Sequence, residues 1–333
     1  MEHQRPIVLP PRLRRGDTVR VVAPARSRAM VNEHDHTALI DERFAGLGLR
    51  LSYGAHVDER DDFDSSPIAS RIADLHDAFA DPEVAAVLTV IGGFNSVELL
   101  PHLDFDLVGS HPKVFCGYSD ITALQNAILA RTGLVTYSGP HWSTFGMRDH
   151  LEPTLDWFTR ALFDGEPVEL TPASTWTDDL WFIDQDDRHP QPNDGWWPLQ
   201  TGATTGRLVG GNLCTFNLLQ GGPYRPSLEG AVLLVEDDAL TFPAQLARDL
   251  TSLLQLPDAR GIRGVLIGRF QRASGVTRSL LTQIVDRADL SPDIPVLANL
   301  DVGHTHPLAT LPIGGEVELS VTTSGSRLAV TRH

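Results

Sequence analysis

Lysine is nearly absent: Lys113 is the only one in 333 residues. Lysine Schiff-base chemistry therefore has one candidate, resting on position alone. Cysteine is scarce as well. Cys116 and Cys214 both stand among apolar neighbours and read as buried structural thiols rather than a redox pair. Two cysteines build neither a disulfide framework nor a cysteine zinc site. No apolar run approaches the ~20 residues of a membrane span. The opening Met1-Glu2-His3-Gln4-Arg5-Pro6 lacks the apolar core of a signal peptide. These absences predict a cytoplasmic protein with no membrane partner. Basic charge is also short: 27 Lys and Arg face 43 Asp and Glu, a net charge of −16. The basic residues form no cluster beyond Arg12, Arg14 and Arg15. Such a chain repels a nucleic-acid backbone, so nucleic acid is not an expected partner.

What is present alternates. Short apolar runs at 19–23, 86–91 and 114–116 read as strands, and the last two run into Gly92-Gly93 and Gly117. Helical spacing marks 68–79 (Ile68, Ile72, Leu75, Phe79), a stretch from about Asn32 to Leu47, and the segment after 120. Strand and helix in turn predict a parallel sheet covered on both faces. From about 166 to 205 the periodicity fades. That stretch is rich in Pro, Asp and Thr and holds Trp176, Trp181, Trp196 and Trp197, four of six tryptophans. It reads as a linker or an insertion that packs on a domain or binds a ligand. Strands resume at 231–235, 264–268 and 295–298, with a helix over 242–256, and the chain ends in a hairpin (316–321, 327–330) turning at Gly325. The expected division is 1–165, 166–205 and 206–333.

Val114-Phe115-Cys116-Gly117-Tyr118-Ser119-Asp120 is the sharpest local feature. A strand that breaks at a serine and enters a helix holds the hydroxyl at the carboxyl edge of the sheet. The N–H of the next residue, Asp120, can meet a developing oxyanion. Taken alone, Ser119 fits a helix cap as well as a nucleophile. Gly92-Gly93 ends the neighbouring strand, where glycine lets backbone N–H groups approach a ligand, although an ordinary turn fits too. Glu236 is the first residue after another apolar strand and could orient a histidine; Asp237 and Asp238 read as helix caps. His304 and His306 follow a strand-like segment. Two histidines alone make no zinc site, because the third ligand is missing locally. Ser119, Glu236 and His304 would supply nucleophile, orienter and base, a set defined by geometry rather than chain order.

Five ordered motifs then acquire a common meaning. They are Gly-Gly-Phe-Asn-Ser (92–96), Gly-Tyr-Ser-Asp-Ile-Thr-Ala-Leu (117–124), Gly-Arg-Leu-Val-Gly-Gly-Asn-Leu (206–213), Leu-Leu-Val-Glu-Asp (233–237) and Gly-His-Thr-His-Pro (303–307). With Gly16-Asp17-Thr18-Val19 and Ala23-Pro24-Ala25, they resemble the LD-carboxypeptidase family of serine peptidases over nearly the whole chain. The 93–146 block and the Trp-rich stretch resemble its microcin C self-immunity branch more than its murein-recycling branch.

The resemblance implies an α/β fold: a flavodoxin-like parallel-sheet N-terminal domain plus a mainly β C-terminal domain. It implies a Ser119 nucleophile, a Glu236 orienting acid and a His304 base, with the N–H groups of Gly93 and Asp120 as oxyanion hole. His306 falls outside the matched position. Gly92, Asn95 and Asn212 are implied near the substrate, and one of Trp176, Trp181, Trp196 and Trp197 would stack on a nucleobase. No metal or other cofactor is expected, and a homodimer is. The implied substrate is a small peptidyl- or aminoacyl-nucleotide, whose cleavage confers self-immunity. The rival substrate is a murein tetrapeptide losing its terminal D-alanine. A ligand-binding homologue without turnover is the reading from another class.

Overall fold

The computed structural model describes residues 5–31 and 36–333. The chain opens with β1 (Thr18–Val22), α1 (Arg28–Val31), α2 (Thr37–Leu47), β2 (Arg50–Tyr53), α3 (Ile68–Ala80) and β3 (Val84–Thr89). There follow α4 (Phe105–Ser110), β4 (Val114–Gly117), α5 (Thr122–Thr132), β5 (Thr136–Ser138) and α6 (Glu152–Leu162). The helix expected over 32–47 starts at Thr37, and its first four residues lie outside those described.

These strands form a parallel sheet in the order β2-β1-β3-β4-β5. It is the flavodoxin order, and the direction of strand succession reverses between β1 and β3. The expected parallel-sheet domain is present. β3 and β4 are almost wholly buried, which explains their unbroken apolar runs. In α3 the buried face adds Arg71 and Asp74 to Leu75 and Phe79. Arg71 donates to the carbonyls of Pro24 (3.3 Å) and Asn95 (3.1 Å) and pairs with Glu98, so one buried guanidinium ties together the loops after β1 and β3.

The second half is sheet-rich. It contains β6 (Val168–Leu170), β7 (Thr175–Trp176), β8 (Gln191–Pro192), β9 (Trp197–Gln200) and β10 (Gly202–Asn212). It continues with α7 (Leu213–Asn217), β11 (Ala231–Glu236), α8 (Pro243–Leu254), β12 (Gly264–Gly268) and α9 (Arg278–Asp286). It ends with β13 (Val296–Leu300), β14 (Leu311–Ile313), β15 (Glu316–Val321) and β16 (Ser326–Arg332). Eight strands pair in the order β6-β16-β15-β10-β11-β12-β13-β9, with β10 to β13 parallel. The 166–205 stretch is thus no free linker: β6 and β9 are the two outer strands of this sheet.

Two features join the halves. β14 leaves the second half and pairs antiparallel with β5 at the edge of the first sheet. The other is α5, whose residues Thr122–Leu129 are all buried, because the helix packs on strands of both sheets. Asn126 exchanges two hydrogen bonds with Gly210 of β10, at 2.9 and 3.1 Å, and the Thr122 hydroxyl accepts the Asn212 N–H at 3.0 Å. The Ser119 turn is therefore held against the second sheet.

Candidate active site

The carboxyl ends of β4, β11 and β13 lead to the three candidate groups, Ser119, Glu236 and His304. Beyond β4, Tyr118 is extended and Ser119 takes φ +62°, a left-handed conformation rare for a non-glycine residue. Such a backbone costs about 1–2 kcal/mol and persists here because its neighbours lock it. The Asp120 carboxylate accepts the Ser96 N–H at 2.9 Å, and the Ser96 hydroxyl donates to the Asp120 carbonyl at 2.7 Å. The turn after β4 is thus bolted to the loop after β3. Burial pushes the Asp120 carboxyl up, against hydrogen bonds from Ser96 and Asn95 and the charge of Arg71.

Glu236 is the last residue of β11 and is buried. Its neighbour Asp237 is pushed up to about 6 by burial and by the Glu236 charge. His304 follows β13 on a loop anchored by Asp301. That carboxylate accepts from Arg269 at 2.6 Å and from the Ala173 N–H at 3.0 Å. Gly303 has φ +103°, and a Cβ there would stand 2.7 Å from Glu236 Oε2. Only glycine leaves room for the carboxylate to reach the ring.

The three groups meet. His304 Nδ1 lies 2.8 Å from Glu236 Oε2, and His304 Nε2 lies 2.9 Å from Ser119 Oγ. Burial works to lower the His304 pKa. The charge and hydrogen bond of Glu236, with Asp238 and Asp237 behind, outweigh it, so the net direction is up. The imidazole stays partly open to solvent (17% exposed) while the carboxylate behind it is shut in (2%). A hydroxyl, an imidazole and a carboxylate in this series can pass a proton from the first to the second and hold the resulting charge with the third.

The other expected residues divide. The Gly92 carbonyl accepts the Arg26 N–H, and a Cβ on Gly92 would lie 3.1 Å from Ser119 Oγ, so Gly92 stands beside the Ser119 hydroxyl. Asn95 turns inward, and its amide donates to Ser65 Oγ at 3.1 Å. Asn212 is committed at both ends: its carbonyl oxygen caps α7 on the Thr215 N–H and its amide donates to Asp237. It does not line the cavity beside His304.

A cavity of about 290 Å³ opens beside His304 and Tyr118. Of the four tryptophans only Trp181 lines it, with Phe182 beside it. Trp176 is instead covered by Arg269 and Arg272, Trp196 packs against the core, and Trp197 donates to Asp194 under Arg278.

Sequence reasoning missed several cavity walls. His141 stacks on Tyr118 with ring centroids 4.3 Å apart and bonds Thr89 Oγ1 at 2.7 Å. His306 exchanges two backbone hydrogen bonds of 2.8 Å with Thr177, pinning the Trp-rich stretch to the histidine loop. Burial drives both imidazoles down to about 3. The signal for His141 was its place just beyond β5, a strand of three residues that is too short to notice.

Two other expectations change. Cys116 is buried, but Cys214 is exposed. On α7 the residues around it (Leu213, Thr215, Phe216) face inward and leave position 214 outside. Lys113 is buried just before β4, on the carbonyls of Ala78 and Asp81, at the opposite end of that strand from Ser119.

Known proteins share the sequence pattern and the fold. Residues 19–139 match the LD-carboxypeptidase N-terminal domain and residues 205–319 its C-terminal domain. The chain belongs to the LD-carboxypeptidase family. YocD of Bacillus subtilis is 45% identical over 324 residues, 97% of this chain and 99% of that one. The crystal structure of an MccF-like protein from Bacillus anthracis superposes with a TM-score of 0.94 at 42% identity, covering 98% of this chain and 100% of that one. The microcin C7 self-immunity protein MccF of Escherichia coli is 31% identical over 302 residues, 86% of this chain and 85% of its own. A structure of MccF in complex with aspartyl sulfamoyl adenosine superposes with a TM-score of 0.86 at 27% identity, covering 98% and 99%. Among the described residues, no helix of this LD-carboxypeptidase relative is long and apolar enough to cross a membrane.

Proposed function

We propose that this protein is a serine carboxypeptidase-type amide hydrolase whose triad is Ser119, His304 and Glu236. The observation that carries the reading is the pair of contacts on one ring, 2.9 Å to Ser119 Oγ and 2.8 Å to Glu236 Oε2. His304 takes the Ser119 proton as Oγ attacks the amide carbonyl. Glu236 fixes the ring and stabilises the imidazolium. The N–H groups of Asp120 and Gly93 receive the oxyanion; each such donor is worth roughly 3–4 kcal/mol. His304 then protonates the leaving nitrogen, and water releases the acyl group from Ser119. In this reading residues 1–165 carry the nucleophile, 206–333 carry acid and base, and 166–205 wall the cavity.

The proposed substrate is an aminoacyl- or peptidyl-nucleotide of the microcin C type, and the role is self-immunity. Two findings support it. MccF, a relative over most of the chain, is the protein held in complex with aspartyl sulfamoyl adenosine. The cavity beside His304 also carries two large rings, Trp181 and Phe182, against which a base can pack.

The test is mass spectrometry of products from aspartyl sulfamoyl adenosine and from a murein LD-tetrapeptide, with Ser119→Ala as control. Cleavage of the nucleotide, lost in the variant, supports the proposal. Release of D-alanine from the tetrapeptide alone replaces the substrate. Full turnover by Ser119→Ala removes the triad.

A further inference from the structure

The strand order of the first sheet reverses between β1 and β3, and in such sheets a ligand sits beyond the carboxyl ends of the strands at that point. Gly92 and Gly93 follow β3. Arg26 follows β1. Its N–H donates to the Gly92 carbonyl at 3.3 Å, and its side chain runs against Gly93, where a Cβ would lie 3.2 Å from Arg26 Cγ. The side chain continues into the cavity that Tyr118 and His304 also line.

Among the described residues Arg26 has no acceptor there: it makes no ion pair, and its Nε is buried without a hydrogen-bond partner. The other charges of the cavity are spoken for. Asp178 and Asp179 line it, but Arg272 pairs with both and Arg188 stands 4.0 Å from Asp179. His141 and His306, at about 3, are neutral at pH 7. Arg26 is therefore the one fixed cation left over among the described residues of the cavity wall. In a chain of net charge −16, a half-buried guanidinium with no carboxylate among the described residues is not explained by their packing.

We propose that Arg26 is a specificity-determining residue whose guanidinium takes the anionic oxygen group that the substrate carries beside its scissile amide. The proposal rests on the hydrolase reading and deepens it. A planar fork of N–H donors suits such a group, by charge and by paired hydrogen bonds. The terminal carboxylate of a peptide and the sulfamoyl or phosphoryl group of a nucleotide both present this chemistry.

The experiment measures the rate at which Ser119 is labelled by a fluorophosphonate bearing a carboxylate, against the same probe as its methyl ester. Wild type, Arg26→Met and Arg26→Lys are compared. The carboxylate probe is expected to label wild type faster than the ester by about 10- to 100-fold. That ratio falls to about 1 in Arg26→Met and recovers partly in Arg26→Lys, while the ester rate stays level in all three and reports an intact fold. Protection from labelling by D-alanine but not D-alaninamide assigns the site to a carboxylate. Protection by AMP but not adenosine assigns it to a phosphoryl group. An unchanged carboxylate-to-ester ratio in Arg26→Met overturns the role of Arg26 and leaves the triad standing. A wild-type Ser119 that is never labelled overturns the triad, and the Arg26 proposal with it.

Discussion

Gly92 and Ser119 are packed as tightly as their backbones allow: a Cβ on Gly92 would lie 3.0 Å from Ser119 Cβ and 3.1 Å from its Oγ. The Ser119 side chain fits where it stands because Gly92 has none. Gly92→Ala is expected to turn Oγ away from His304 Nε2. A displacement near 1 Å at a reacting atom costs about 100-fold in rate. The check is kcat with thermal melting in parallel; a large loss of kcat with a small change in Tm is the expected outcome.

Removing the orienting acid separates geometry from charge. Glu236→Gln keeps the shape but offers His304 Nδ1 a neutral partner. The expected fall in kcat is about 10³- to 10⁴-fold, the scale on which an orienting carboxylate acts. Ser119→Ala should lose at least as much, and the double variant little more, because the groups work as one unit. Steady-state kinetics on the three proteins decide it.

The pH profile carries a sign. In the proposed mechanism neutral His304 is the base, and its pKa is raised by the carboxylates around it. Activity is expected to climb as pH rises through a value above the usual histidine figure of about 6.5. Stability moves the other way. The imidazolium is favoured in the folded state, so its contribution is complete below the unfolded pKa and fades as pH rises through the folded one. In Glu236→Gln the residual activity should show its acid limb at lower pH. Profiles of kcat/KM from pH 5 to 9 make the comparison.

Asp237 gives the opposite test. Its pKa is raised to about 6, so the folded state holds this proton more tightly than the unfolded chain does. Its contribution to stability therefore declines as pH rises from about 4 to 6. Asp237→Asn should flatten that part of the Tm-against-pH curve relative to wild type.

Much of this was legible in the sequence. β3, β4, β11 and β12 are buried on both faces, so each is an unbroken apolar run, and the functional groups stand just past such runs. Other parts were hidden for physical reasons. β10 contains Gly202, Gly206, Gly210 and Gly211, which carry no side-chain pattern and permit the positive φ angles at its end. The Trp-rich stretch conceals β6 and β9 because an outer strand of three or four residues is too short for periodicity to register. Nothing in the order of residues distinguishes Trp181 from its three counterparts; the choice depends on where β7 and β9 draw the others. Arg26 is equally silent in one dimension, since only the fold brings it to the wall of the cavity beside His304.

The separation of Ser119 and His304 by 185 residues has a consequence for the cell that makes the protein. A ribosome that has released the first sheet has released a serine with neither base nor acid. The imidazole that partners the hydroxyl lies on the loop between β13 in the second sheet and β14 at the edge of the first. A chain that stops short of residue 304 therefore holds Ser119 without the imidazole it meets in the folded protein, and under the proposed triad a reactive serine reports that both halves have come together.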